Sequence, residues 1–228
     1  IKSEREAPQE GMPFGEGPCK ALLESKKLCE EHGMKTKNFD NYVITAELND
    51  KPAYLGILAH VDVVSEGSGW TYKPYEPVVA DGKIYGRGTA DDKAGIVTHL
   101  AALEQVRAWK KNDGPNLKFL IEGEEESGSA GFEVILKKNA ELLKCDAVIV
   151  ADLGNFAKGT PSITTTLRGM SAVNVELKAT KAPLHSGSWS GPIPDPGQVL
   201  CRMIANLTDG KGNILIPNFE DTLDLLLR

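Results

Sequence analysis

The sequence predicts an α/β fold, in which helices cover both faces of a mostly parallel sheet, followed by part of a smaller α+β domain. Three observations support this prediction. Strand-like and helical segments alternate through the first two thirds of the chain, and the strand-like segment at residues 53–64 has a nearly continuous apolar run, as expected for a strand buried on both faces. Near residue 168 the pattern changes to strict alternation of apolar and polar residues, which is typical of a sheet covered on one side.

The first quarter of the chain predicts a helix between an irregular segment and a pair of strands. Residues 1–18 are polar and punctuated by proline and glycine, so we expect an irregular surface segment there. Residues 19–33 have apolar residues at near-helical spacing and end at Gly33, a favourable residue for terminating a helix. Residues 41–48 and 53–64 predict strands, and the second has a nearly continuous apolar run.

Helices and strands continue to alternate through the middle of the chain. The expected elements are a helix at 93–109, a strand at 116–123, a helix at 130–143 and a strand at 145–152. The first of these helices places its apolar residues on a single stripe. This order implies parallel pairing, and ligands bind such sheets beyond the carboxyl ends of the strands.

A second, smaller domain is expected from about residue 168 onward. Residues 168–180 alternate strictly and predict a strand, whereas residues 195–207 predict a helix with an aspartate N-cap and a proline at its first position. About sixty residues are few for an independent core. We therefore expect a first domain at residues 1–167 and part of a second domain at residues 168–228.

Composition and charge exclude several classes of partner. The net charge of −6 argues against a nucleic-acid partner, and no apolar run approaches the ~20 residues that a membrane span requires. The cysteines are far apart and form no C-x-x-C pair, which argues against a disulfide framework or a thiolate zinc site; they are Cys19, Cys29, Cys145 and Cys201. Free thiols favour a reducing compartment, so we expect a cytoplasmic protein.

In the segment FLIEGEEES, residues 119–127, an apolar strand is followed directly by a block of carboxylates. Neighbouring carboxylates raise one another's pKa and weaken the fold, so packing gives no reason for this block. A solvated loop after the strand is the ordinary explanation. The alternative is a cation bound at the end of the strand.

Acidic residues and a histidine also follow the other predicted strands or begin a helix. His60 and Asp62 lie two apart on one strand, Asp152 follows another, and Asp91 and Asp92 precede a helix. Each has an ordinary explanation, because lone strand histidines are often structural and aspartates often cap helices. Taken together with the glutamate block, they favour a divalent cation, and one histidine with several carboxylates suits zinc, manganese or cobalt.

Four motifs carry a resemblance to a known family: HVDVV, GRGTADDKAG, EGEEESGS and LHSG. In this order they are similar to motifs of the aminoacylase/carboxypeptidase/dipeptidase family of two-metal hydrolases. Within that family the motif sequences are most similar to those of carnosinase-like and peptidase V-like dipeptidases. The resemblance implies a zinc-peptidase fold, two divalent metal ions, and hydrolysis of the amide bond of a dipeptide or short peptide. Two alternatives stay open: an N-acyl-amino-acid deacylase of acetylornithine or succinyl-diaminopimelate type, and a non-catalytic metal-binding or interaction fragment.

The resemblance also implies a role for each motif residue. The implied metal ligands are His60, Asp91, Glu126 and Asp152, with Asp91 bridging both ions and followed by a cis peptide bond. Glu125 would be the general base, Asp62 would orient His60, and His185 would reach the substrate carbonyl from the smaller domain, which in dimeric members is a lid contributed by the partner subunit. Glu124 would have neither role, and Asp92 and Lys93 would be structural. We therefore expect a homodimer formed through the lid domain.

The chain departs from the family in its length. Relatives are usually much longer and complete the second metal shell with a histidine near the C-terminus. The remaining histidines here, His32 and His99, lie on upstream helices and do not match. Either the chain is a fragment of a longer protein, or the missing parts are supplied elsewhere.

Overall fold

A computed structural model of the chain describes residues 1–49, 54–110, 116–170 and 172–219. The chain divides into two compact units, residues 1–164 and 165–228. No helix in these described ranges is both long enough and apolar enough to cross a membrane.

The first unit contains four α-helices, one short 3-10 helix (Glu125–Ser127) and seven strands among its described residues. The helices are α1 (Glu16–Glu31), α2 (Lys93–Lys110), α3 (Ala130–Lys138) and α4 (Ala140–Leu143). The strands are β1 (Lys35–Phe39), β2 (Val43–Leu48), β3 (Leu55–His60), β4 (Val78–Ala80), β5 (Lys83–Tyr85), β6 (Leu117–Glu122) and β7 (Ala147–Val150).

Five strands form the central sheet, in the order β1-β2-β6-β3-β7. Strands β6, β3 and β7 are parallel, whereas β2 and β1 extend the sheet as antiparallel strands. His60 is in register with Glu122, so the carboxyl ends of β3 and β6 lie side by side at one edge. The expected α/β fold is confirmed, with antiparallel strands added on one side.

Helices pack on both faces of this sheet, because alternate side chains of each strand point to opposite faces. On one face, Phe119 belongs to a buried cluster with Leu22 of α1 and Leu100 of α2. On the other, Leu120 belongs to a second cluster with Phe132 of α3. All six residues of β6 are buried, including the charged residues Lys118 and Glu122.

Two pairs of strands form hairpins that the apolar pattern does not reveal. Strand β1 is short and polar, and its turn into β2 uses positive φ angles at Asp40 and Asn41. Strands β4 and β5 are joined by Asp81 and Gly82, both with positive φ angles, which is the favoured Asp-Gly hairpin sequence. The helix expected at 130–143 is divided in two at Asn139. The Asn139 side-chain amide donates to the Ile135 carbonyl, and such bonds from a side chain to the backbone compete with the regular hydrogen bonds of a helix.

The second unit contains two helices among its described residues, α5 (Ser186–Trp189) and α6 (Pro196–Ala205). The expected cap of α6 is present, because Asp195 Oδ1 accepts a hydrogen bond from Gln198 N at 2.9 Å. The expected strand at 168–180 was wrong for the residues of that segment that the structure describes, none of which is in a strand. A strand needs a hydrogen-bonded neighbour, and alternation alone does not supply one.

Candidate metal centre

The carboxyl-end edge of the sheet gathers side chains from four segments of the first unit. His60 ends β3, and its ring Nε2 lies 3.1 Å from Asp91 Oδ1, at the start of α2. The same nitrogen lies 3.7 Å from Asp152 Oδ2, beyond β7, and 3.9 Å from Glu125 Oε2, beyond β6. These residues are distant in sequence, and the parallel sheet brings them to one place.

Two groups of side chains at this edge have ligand atoms close enough to hold a metal ion. One consists of His60, Asp91 and Asp152, and the other of His60, Glu125 and Glu126, with the ligand atoms of each group within 4.8 Å of one another. The structure therefore brings together all four residues expected to bind metal and the glutamate expected to act as base. His32 and His99 belong to neither group, and each places its ring Nδ1 against a carbonyl of its own helix.

The imidazole of His60 is held in one orientation. It is 1% exposed, and its Nδ1 lies 3.1 Å from the backbone oxygen and 3.3 Å from Oδ1 of Asp62. The opposite nitrogen, Nε2, is buried without a hydrogen-bond partner although three carboxylates surround it. Carboxylates gathered around this nitrogen need a positive charge between them, which is either a proton on the imidazole or a bound cation, so the residues fit a divalent metal ion.

Asp62 connects the histidine to the acidic loop. Its carboxylate is 1% exposed; Oδ1 accepts from the backbone N–H of Glu125 at 3.1 Å, and Oδ2 accepts from that of Glu126 at 3.0 Å. One buried side chain thus orients the imidazole and fixes the backbone of both glutamates. Partners of this kind set the orientation and basicity of metal ligands.

The two aspartates at the start of α2 point in different directions. Their peptide bond is cis, as the resemblance implies. The side chain of Asp91 is 59% exposed and faces His60 Nε2. Asp92 is fully buried, and its carboxylate accepts from the backbone N–H groups of His60 at 3.2 Å and Gly95 at 3.1 Å. Burial raises the pKa of Asp92 to about 7, and its contacts place it in support of the backbone.

Sequence reasoning included Glu122, the last residue of β6, in the acidic block but gave it no role. It is 3% exposed, Oε2 has no hydrogen-bond partner, and burial with the charges of Asp62 and Glu125 raises its pKa to about 7. The sequence shows only that Glu122 ends an apolar strand, whereas the structure pairs it in register with His60 at the same edge. Burial likewise raises the pKa values of Glu125, Glu126 and Asp152, with added repulsion from neighbouring acids.

His185 lies in the second unit, where it caps the short helix α5. It is exposed, and its ring Nδ1 accepts from the backbone N–H of Gly187 at 3.1 Å. Its expected contact with substrate stays a prediction.

Metal binding should release a proton from His60. Burial alone would lower the pKa of this imidazole, but the hydrogen bond to Asp62 and the charges of Asp62, Asp152 and Glu125 raise it to about 9. Below that pH a proton occupies the position a metal needs, so metal affinity should rise roughly tenfold per pH unit between about pH 6 and 8. Calorimetric zinc titrations in buffers of different ionisation enthalpy should show about one proton released per chain as the ion held by His60 binds. Release of no proton would mean that His60 is not a ligand.

A family model described as peptidase family M20/M25/M40 matches residues 56–197. The matched range contains every candidate site residue described above, from His60 to His185.

Curated relatives are longer than this chain. It is 36% identical over 180 residues to the cysteinylglycine-S-conjugate dipeptidase of Corynebacterium striatum, and the aligned region covers 77% of this chain and 39% of that protein. It is 34% identical over 185 residues to the Beta-Ala-His dipeptidase of Homo sapiens, which covers 78% of this chain and 36% of that protein. The chain therefore spans well under half the length of these relatives.

Solved structures share the fold. An M20 family metallo-carboxypeptidase from Sulfolobus solfataricus is 31% identical, with a TM-score of 0.71 over 91% of this chain and 48% of that chain. Human carnosine dipeptidase 1 has the same TM-score of 0.71 at 24% identity, over 97% of this chain and 50% of that chain, and this likeness supports the fold alone.

Proposed function

The chain belongs to peptidase family M20/M25/M40, and on this premise we propose that the polypeptide carrying it is a metal-dependent hydrolase of dipeptides or short peptides. One observation carries the proposal. The buried His60 Nε2 lacks a hydrogen-bond partner and faces the carboxylates of Asp91, Asp152 and Glu125, which fits a metal ligand better than a structural histidine. The similarity to two named dipeptidases supports the substrate class.

The proposed ligands divide between two ions. Following the family resemblance, we assign His60 and Asp152 to the first ion, Glu126 to the second and Asp91 to both. In the structure, His60, Asp91 and Asp152 form one group close enough to hold an ion, and His60, Glu125 and Glu126 form another. We propose zinc, with manganese or cobalt as alternatives, because imidazole and carboxylate donors suit these ions. When bound, a pair of such ions lowers the pKa of a water molecule toward about 7 and polarises the substrate carbonyl.

Glu125 is the proposed general base. Its side chain is 44% exposed and lies beside His60, so it is open to a substrate, while its backbone is fixed by Asp62. Burial and neighbouring acids raise its pKa, which brings its proton affinity closer to that needed near neutral pH. In this role it takes the proton of the attacking water and returns it to the departing amine.

The smaller domain is proposed as a lid through which two chains form a dimer. We assign residues 1–167 to the metal-binding domain and residues 168–228 to part of this lid, where His185 would donate to the substrate carbonyl oxygen. The free thiols of all four cysteines support our proposal of a cytoplasmic location.

Replacing His185 with alanine should lower turnover by about 10²-fold, the lower end of the effect of losing one oxyanion donor, and leave metal binding unchanged. Mixing these chains with Glu125→Gln chains tests the dimer, because each defective chain would supply what the other lacks. Activity regained in the mixture supports a histidine that crosses the interface. Full activity of the His185→Ala chain would remove the residue from the mechanism.

A substrate panel tests the proposed reaction. The polypeptide, loaded in turn with zinc, manganese and cobalt, should hydrolyse dipeptides and lose this activity on chelation. Faster hydrolysis of N-acetyl or N-succinyl amino acids would favour a deacylase instead. Bound metal without hydrolysis of either class would favour a non-catalytic metal-binding protein.

A further inference from the structure

The polar segment at the start of the chain, residues 2–6, contacts three of the segments that carry the candidate metal ligands. Sequence reasoning predicts an irregular surface there, yet Ser3 is fully buried. We call residues 2–6 the N-terminal strap.

Ser3 fixes the strap to the chain that follows β3. Its hydroxyl donates to the Val61 carbonyl at 2.6 Å, and its own carbonyl accepts from the backbone N–H of Val63 at 3.1 Å. The Lys93 ammonium, two residues beyond Asp91, donates to the same hydroxyl at 2.8 Å. Ser3 therefore joins the segment after His60 to the beginning of α2.

Arg5 fixes the strap to the acidic loop. Its guanidinium lies 2.8 Å from Glu124 Oε1 and stacks over the ring of buried Phe14, 5.7 Å from the centroid. The Glu124 side chain is 6% exposed, whereas that of Arg5 is 42% exposed. Glu124 is thus a buried carboxylate whose neutralising partner comes from the strap.

Glu124 in turn closes the loop that carries Glu125 and Glu126. Its Oε2 accepts from the backbone N–H of Gly131, in the first turn of α3, at 2.7 Å, and its carbonyl accepts from the N–H groups of Ser127 and Ser129. A Cβ at Gly131 would lie only 2.8 Å from the same carboxylate oxygen, so a glycine at this residue allows the carboxylate to approach the end of the helix closely. The loop is therefore anchored by Asp62 on one side and by Glu124 on the other.

We propose that Arg5 and Glu124 are positioning residues, through which the N-terminal strap holds the 124–131 loop so that the carboxylates of Glu125 and Glu126 face His60. The inference rests on the proposed function for its consequence, the loading of metal, but its geometry stands on the contacts of the strap. Without Arg5, the Glu124 carboxylate would be left charged and unpaired among neighbouring acids, and the loop would open toward water to solvate it.

The competing explanation is an ordinary ion pair that steadies the surface and does nothing to the ligands. The two explanations differ at the Glu125 and Glu126 amides, whose hydrogen bonds to Asp62 would break when the loop moves. Arg5→Lys is a charge-conserving control, because it keeps a positive charge opposite Glu124 while losing the planar guanidinium.

The test compares Arg5→Gln, Glu124→Gln, Arg5→Lys and a matched control, Lys2→Gln. Lys2 lies on the same strap, but its ion pairs are with the half-buried residues Glu4 and Glu66, which are not in the acidic loop. Zinc affinity is measured by titration, and hydrogen exchange is measured at the Glu125 and Glu126 amides. We expect Arg5→Gln and Glu124→Gln to weaken zinc binding about tenfold, the lower range for loss of an outer partner, and to speed exchange at both amides.

The pattern across the variants decides the matter. Arg5→Lys should recover most of the affinity, Lys2→Gln should match the unchanged chain, and the double Arg5→Gln/Glu124→Gln variant should be no worse than either single change. Unchanged exchange at both amides in Arg5→Gln overturns the proposal, whatever the metal result. A parent chain that fails to bind zinc overturns the proposed metal centre instead, and the exchange experiment still decides whether the strap positions the loop.

Discussion

Replacing Glu125 with glutamine should lower turnover by at least about 10²-fold while the bound metal stays in place. Glutamine keeps the shape of the side chain and removes its ability to take a proton, and loss of a general base costs about 10²–10⁴-fold. The backbone N–H of residue 125 would still donate to Asp62, so the loop should keep its position. Turnover of a dipeptide and metal content per chain are the two measurements.

The matched control is Glu126→Gln, one residue along the same loop. This change should reduce both the metal content per chain and the activity, because Glu126 is the proposed ligand of the second ion. Loss of metal from Glu125→Gln, with metal retained in Glu126→Gln, would contradict the assignment. Glu124 would then be the base and Glu125 the ligand. The structure argues against this shift, because the Glu124 carboxylate is already held by Arg5 and Gly131.

Replacing Asp91 with alanine should weaken zinc binding by more than about 100-fold and abolish hydrolysis. Asp91 Oδ1 lies 3.1 Å from His60 Nε2, and Asp91 is the residue proposed to contact both ions. Loss of an outer partner costs about 10–100-fold in metal affinity, and loss of a direct ligand should exceed this range. Zinc titration of the purified polypeptide measures the effect.

Lys93→Ala is the control for this change. Lys93 lies near the start of the same helix, but its ammonium donates to Ser3, and we expect it to support the structure and not the metal. The variant should therefore keep its zinc. Loss of metal from Lys93→Ala, or retention of full affinity in Asp91→Ala, would contradict the account.

The fold was predictable where apolar side chains report burial. Strand β3 lies in a nearly continuous apolar run, and β6 contains the apolar stretch FLI. The fold and the family resemblance inferred from four motifs are both confirmed. Strand β1, with the sequence KTKNF, was not predictable in this way, because an exposed edge strand buries few side chains. Its existence follows from pairing with β2, which is a tertiary interaction.

The candidate site was predictable where acids or histidine follow an apolar strand without a structural need for them. That reasoning identified His60, Asp152 and the glutamate block, which the structure brings to one edge of the sheet. It did not identify Ser3 or Arg5, because a polar segment before the first helix resembles any exposed terminus. Their proposed importance depends on contacts with residues more than fifty positions away in the sequence, which a local sequence pattern does not indicate.

The most direct measurement is anomalous X-ray diffraction at the zinc absorption edge from crystals of the polypeptide grown with zinc. We expect a peak about 2.0–2.1 Å from His60 Nε2 and about 2.0–2.2 Å from carboxylate oxygens of Asp91 and Asp152. Such a peak would establish that the unpartnered nitrogen of His60 is a metal ligand. Zinc bound elsewhere, with His60 Nε2 still lacking a metal, would contradict the account.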